Sequence, residues 1–431
     1  MIIRDEAILK AGLSGRLLQG CLNEHLRQTE KWNRLWDAYS LKAPICRRTR
    51  AEGLPNHHLA HGYARYIVAI ASAYLVGAAV NYQGEEKHMQ SLKRAYREGH
   101  VSGVDLELAR KASLFGKGVE VIYTDKKACP RSAALDPRCA FVVYGDDVGS
   151  EPLLGIHFHP VLDESGAPHG YEAAVYTADE VLLYRGRDFS MLLRGSPVKR
   201  SPHYFGRVPM IEYWNNEDEA GDVENVLSLI DAYDVLQSDR INDQEQLVDA
   251  LLIVYGARLE RDEKGRTPAQ QLRQDKLLYL PDRDAGAQYL VKNTGSGAEE
   301  MRRALEKDIH KFSMIPDLSD EQFAGNASGV ALKYKLLGLE QLTRMKERWF
   351  REGLKERLRC YCHFLSVKGE RTPDPEAVRM IFSRSLPENM LETAQMVKTL
   401  EGMVAEDVLL SQLPFLDGET KKIPEKEKEK S

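Results

Sequence analysis

The chain has 431 residues, of which 43% are hydrophobic and 29% charged, with a net charge of −5. These values are globular and the small net charge selects no polyanion or membrane partner; the length suggests roughly two to four domains. No apolar run reaches the eighteen or so residues needed to cross a bilayer, and the opening MIIRDEAILKAG lacks a signal-peptide core, so the chain reads as soluble, non-secreted and without membrane contact.

The six cysteines are scattered and form no disulfide framework, which suits reduced thiols in a cytoplasm. Residues 1 to about 50 read as short helices closed by the basic patch Arg47, Arg48 and Arg50. Asn56 to Tyr82 reads as a helix ending near Gly77, followed by an extended segment. A second helical stretch leads into GKGVEVIYTDKK, where Val119, Val121 and Tyr123 alternate as in a strand. Between about 119 and 213, short alternating runs separated by Gly, Pro and Asp turns predict an antiparallel β region.

The period then changes. Residues 223–249 predict one helix of about 40 Å at 1.5 Å per residue. Residues 250–296 (with LLIVYGARLE, KLLYLPD and AQYLVKN) form a small α/β insert, and 297–314 a second helix, so two helices flank a compact module. A polar loop follows at 315–327, where Pro316 and Gly325 disfavour regular helix. Asn326 or Ser328 can cap the long helix that follows, from Val330 to about Leu365, roughly 54 Å. Residues 376–384 read as one returning strand, 387–413 as two helices with a break near Gly402, and the mixed-charge tail as disordered. The fold class expected is α+β.

The two long helices differ in charge. From Glu224 to Asp249 seven acids face one arginine, a net −6; from Ala331 to Lys368 ten bases face four acids, a net +6. Solvated or mutually paired faces explain any single residue. The segregation also fits a ring in which the acidic helices line a channel, along which duplex DNA, with one charge per ~1.7 Å, slides without adhering.

Several motifs point elsewhere. His157-Phe158-His159 and the group His57, His58 and His61 contain metal-ligand residue types, but no partner carboxylate or cysteine is well placed in sequence, and structural roles are expected. Cys360, Cys362 and His363 sit on successive faces of a helix, as buried thiols do. GKGVE and NTGSG lack the Lys-Ser or Lys-Thr of a phosphate-binding loop, and neither GxSxG nor HExxH occurs. Asp317, Asp320 and Glu321 could hold a divalent ion, though a polar loop tip explains them. No cofactor and no enzymatic role are expected.

Three blocks carry a resemblance: Tyr74, Gly77 and Val80; then Asn215-Asn216, Gly221-Asp222, Asp231, Tyr233, Ser238 and Asn242-Asp243; then Pro316-Asp317, Phe323, Gly325-Asn326, Ser328-Gly329, Ala331 and Lys333. In order and spacing they resemble the portal proteins of tailed bacteriophages, the family of many siphophages of Gram-positive hosts. The resemblance implies a phage-portal fold: a wing over 1–222, stem helices at 223–249 and 297–314, a clip at 250–296, a tunnel loop at 315–327, a long wing helix with the returning strand at 328–386, a small crown at 387–418 and a tail at 419–431.

It also implies a dodecameric ring at one capsid vertex of a virion assembled in the host cytoplasm, serving packaging and ejection of double-stranded DNA. The partners implied are other copies of the chain, the DNA, the terminase large subunit, a head–tail connector, and the major capsid and scaffolding proteins. Its tunnel loop would place Pro316, Asp317, Asp320, Glu321, Gln322, Asn326, Ser328 and Lys333 facing DNA, and its stem Asp234, Asp239, Asp243 and Glu245 on an acidic lining. Gly338 or Gly353 would permit a kink in the long helix. A metal-dependent nucleic-acid hydrolase built on the histidines and loop acids, or a monomeric interaction adaptor, are the alternatives.

Overall fold

A computed structural model describes residues 1–6, 12–52, 54–248, 251–255, 265–267, 286–290, 295–319, 333–384 and 399. The chain opens with strand β1 (Ile2–Arg4), in a region expected to be helical throughout; it pairs in parallel with a later strand, placing Ile2 opposite Val143. Helices α1 (Gly15–Leu26) and α2 (Thr29–Tyr39) follow, α1 capped by Ser14, whose side chain accepts from the Leu17 amide.

Helix α3 (Tyr63–Val76) starts seven residues later than the sequence predicts, because 56–62 is not helical. Strand β2 (Asn81–Gln83), helices α4 (Glu86–Glu98) and α5 (Val101–Phe115), and strand β3 (Lys117–Thr124) come next. Strands β4 (Pro130–Leu135), β5 (Ala140–Gly145), β6 (Pro152–Leu162), β7 (Pro168–Tyr176), β8 (Glu180–Gly186), β9 (Lys199–Pro202) and β10 (Met210–Trp214) complete the expected β region. They divide into a six-stranded sheet, β1-β5-β6-β7-β8-β9, and a three-stranded one, β10-β3-β4.

Helix α6 (Leu227–Val248) is the long acidic helix. Strands β11 (Leu251–Tyr255) and β12 (Gly286–Leu290) pair antiparallel within the insert, whose KLLYLPD segment lies outside the described residues. Helix α7 (Gly295–Ser313) packs against α6, and α8 (Leu337–Val367) is the long basic helix. The returning strand β13 is shorter than expected, Arg379–Ile381, and pairs with β2. The helices expected at 387–413 and the tail lie outside the described residues.

Alternation on the sheet and 3.6-residue spacing on the helices build separate apolar cores. One places Leu18 and Leu22 of α1 against Phe141, Ile156 and Val175 of the six-stranded sheet. Another gathers α2, α3, α6, α7 and the start of α8 around Trp32, Ile67, Ile230, Ile309 and Leu339. A third wraps α8, through Phe350, Leu354, Leu358 and Tyr361, in α4, α5 and β10.

Helix α8 also carries charge inward. Arg357 is fully buried; its Nε donates to both oxygens of Glu120 at 2.8 and 3.0 Å, and an Nη donates to Asp105. Tyr213 donates to Glu120 at 2.6 Å. Lys346, also buried, pairs with Asp222. Two of the ten bases behind the +6 surplus therefore belong to the interior. Gly353 lies inside the continuous α8, where an added Cβ would fall 2.5 Å from the Tyr213 ring. Its missing side chain makes room for Tyr213, a different role from the expected kink.

Candidate functional site

The acidic helix α6 is held by residues 56–62, the segment that precedes α3. Asp234, Ser238 and Asn242 are spaced by four and share one helix face. They accept the backbone N–H groups of His61 (2.9 Å), Leu59 (3.0 Å) and His57 (2.8 Å), which are spaced by two. Four helical residues rise about 6 Å and two extended residues about 6.6 Å, so the registers match and 56–62 runs along α6 as an antiparallel strap. These alternate amides are held by side chains far away in sequence, a spacing that an extended segment supplies and a helix does not.

Basic side chains close over the acids. Glu224 meets Lys31 at 2.7 Å, Asp231 meets Arg34 at 3.0 Å, and Asp239 meets Arg48 at 2.7 Å and also Arg50. Asp234 meets the His61 ring at 2.7 Å, and Glu245 meets His57 at 2.7 Å. Expected lining residue Asp234 is 1% exposed, so its carboxylate cannot face a channel; burial pushes its pKa up, while the His61 bonds pull it back. Asp239 is half-buried beneath its two arginines and Glu245 is exposed beside His57. Asp243 is half-buried, with no ion pair among the described residues. The formal −6 therefore overstates the field this helix presents.

Upstream of α6, Asp222 sits at a junction. Its carboxylate accepts from Asn215 Nδ2 at 2.8 Å, from Ser113 Oγ at 2.5 Å and from Lys346. Asn216 closes the intervening turn on Ala220 by two bonds, 2.8 and 3.0 Å. A Cβ on Gly221 would lie 2.3 Å from the Leu114 carbonyl oxygen, so this approach requires glycine. The Asn215-Asn216 and Gly221-Asp222 positions thus lock the root of α6 to α5 and α8.

The root of the 315–327 loop is clamped by two other helices. Tyr66 of α3 donates its hydroxyl to the Pro316 carbonyl at 2.7 Å and accepts from the Leu318 amide at 3.0 Å. His310 of α7 lies 2.9 Å from the Ile315 carbonyl oxygen. Asp317 turns onto Ser319, accepting its amide at 2.9 Å and its hydroxyl at 2.6 Å; those bonds hold the Asp317 carboxyl below its usual pKa against the cost of burial. Pro316 and Asp317 are half-buried, and Lys333 is exposed in the helical turn before α8. Asp320, Glu321, Gln322, Asn326 and Ser328 lie outside the described residues. Sequence reading missed Tyr66 and His310; only their place on amphipathic helices hinted at them.

The histidines do not converge. His57 faces Glu245, His58 bonds the Arg48 carbonyl at 2.9 Å, and His61 faces Asp234. His157 and His159 share one face of β6, rings stacked at 5.5 Å, and burial lowers the His157 pKa to about 4. No group of three or more metal-ligand residues forms among the described residues. Cys360 and Cys362 are buried, unbridged thiols, the latter pushed up to about 12 by burial. Among the described residues, no helix is long and apolar enough to cross a membrane.

Residues 18–431 match the family described as phage portal protein, SPP1 Gp6-like, and the chain belongs to that family. It is 24% identical to the portal protein of Bacillus phage SPP1 over 381 residues, 84% of this chain and 74% of that protein. It is likewise 24% identical to the portal protein of Clostridium phage phiCD119 over 281 residues, 64% of this chain and 61% of that one. Solved structures similar to it include a chain in the neck of an empty gene transfer agent particle (13% identity, 82% of this chain and 90% of that one, TM-score 0.46) and one in the virion of the native particle (12%, 90% and 94%, TM-score 0.45).

Proposed function

We propose that this portal-family protein assembles as a dodecameric ring at one capsid vertex, through which double-stranded DNA enters during packaging and leaves at ejection. Helices α6 and α7 are its stem, the 250–296 insert its clip, the 315–327 loop its tunnel loop and α8 its wing-spanning helix. The clip docks the terminase large subunit and later a head–tail connector, and the outer surface meets capsid and scaffolding proteins. The subunit performs no catalysis; packaging energy comes from the terminase. Asp243 and Glu245, with the exposed side of Asp239, are the acids left to a channel lining.

The observation that carries this reading is the family match over nearly the whole chain. The double clamp at the loop root supports it, because a loop that touches moving DNA needs a fixed base. Deleting Asp317 to Asn326 tests the loop assignment: rings should still form while DNA packaging or retention fails. Wild-type packaging by the deletion would refute it.

A further inference from the structure

A cavity of about 360 Å³ opens beside the loop root, between α3 and α7. Its walls include the rings of Tyr63, Tyr66 and His310 and the carboxylates of Glu306 and Asp317. The His310 ring stands edge-on to both tyrosines, centroids 5.9 Å away in each case, at 71° and 86°.

The lining leans toward acceptors: its Ser319 hydroxyl and His61 Nδ1 are spent on Asp317 and Asp234, and its Tyr63 hydroxyl is left as a donor 3.5 Å from Glu306. Tyr66 has spent its donor on Pro316, as described above. The His310 Nδ1 that faces the Ile315 carbonyl must carry a proton to bond it, which leaves Nε2 of the neutral ring as an acceptor. Glu306 gives one oxygen to Arg302 at 2.7 Å; its other oxygen has only a 3.5 Å approach from the Tyr63 hydroxyl, beyond the usual O–H···O range. Asp317 engages Ser319 through one oxygen only. No Lys or Arg is among the described lining residues; Arg302 stands behind Glu306, and the His61 ring in the lining is paired with Asp234. Acceptors and aromatic rings line a cavity large enough for several heavy atoms.

We infer that this cavity binds a primary alkylammonium group, with its charge against the tyrosine faces and its three N–H donors shared among Glu306, His310 and Asp317. An ammonium seated there bridges α7 to the loop base. The group has two possible sources with the same chemistry: a small soluble diamine, or a lysine of a second copy of this chain. The inference concerns binding alone and stands whether or not the loop contacts DNA.

The test is calorimetric titration of the full chain with 1,4-diaminobutane at fixed ionic strength, before and after assembly. Magnesium chloride and tetramethylammonium serve as controls, the second having no N–H donor. Saturable binding is expected, weakened roughly tenfold by Glu306→Gln and again by Tyr63→Leu, about the loss of one charge-assisted bond or one cation–π contact each. Circular dichroism melts establish that the variants fold. Binding to unassembled chains that disappears on assembly assigns the ammonium to a neighbouring copy, and binding in both states assigns it to solution. Absence of saturable binding in the unassembled chain, or wild-type affinity in both variants, overturns the inference.

Discussion

Asp234 holds His61 twice, accepting its backbone amide at 2.9 Å and its ring Nδ1 at 2.7 Å through one carboxylate oxygen. The other oxygen is buried without a hydrogen-bond partner among the described residues. Burial wins, so the folded carboxyl titrates above its unfolded value of about 3.9. A raised carboxyl pKa means that the folded state keeps its proton longer. Stability from this group is therefore greatest at low pH and declines as pH rises from about 3.9 through the folded pKa.

Asp234→Asn keeps an acceptor for the His61 amide and removes the buried charge. At pH 7 the variant should be at least as stable as the parent in chemical denaturation, and its advantage should shrink toward pH 4. A loss above about 1 kcal/mol at pH 7 would mean that the pair with His61 is net favourable despite its burial.

Tyr66→Phe removes both bonds at the loop root and little packing. The expected cost to global stability is small, about 1 kcal/mol. Hydrogen exchange read by mass spectrometry should rise at 315–319 and stay unchanged in the six-stranded sheet. Unchanged exchange at 315–319 would show that His310 and the Asp317 turn suffice to hold the root.

Arg357→Met leaves Asp105 and Glu120 buried together with no cation between them. Burial already raises the Asp105 pKa in the presence of the arginine. Removing one partner of such a group costs about 3–5 kcal/mol, and acidification should recover part of that as the carboxyls take up protons. A melting temperature equal to the parent at pH 7 would contradict the network.

Much of this was legible in the sequence, because periodicity is local. The antiparallel β region, the acidic and basic helices and the returning strand follow from spacing that neighbouring residues supply. The strap was not legible. NHHLAHGY is compatible with helix, and only the side chains of Asp234, Ser238 and Asn242, more than 170 residues away, claim its amides. For the same reason the net −6 overstated the charge of this helix: Arg48 and Arg50 read as a basic patch closing the N-terminal helices, and nothing in the sequence marked Lys31 and Arg34, until folding laid all four on α6. Arg357 and Lys346 looked like solvated bases, since nothing in the helix itself marks which of its charges will meet a buried carboxylate. Strand β1 is three residues long and is stabilised by pairing with β5, which its own sequence does not announce.

The central claim is that this portal-family chain works as a ring. The most direct measurement is the native mass of the purified protein by light scattering, with negative-stain images of the same sample. The account predicts closed rings of about a dozen subunits with a central hole, the closed symmetry common for homo-oligomers. A protein that stays monomeric at every concentration, and also in the presence of its capsid and scaffolding proteins, would contradict it.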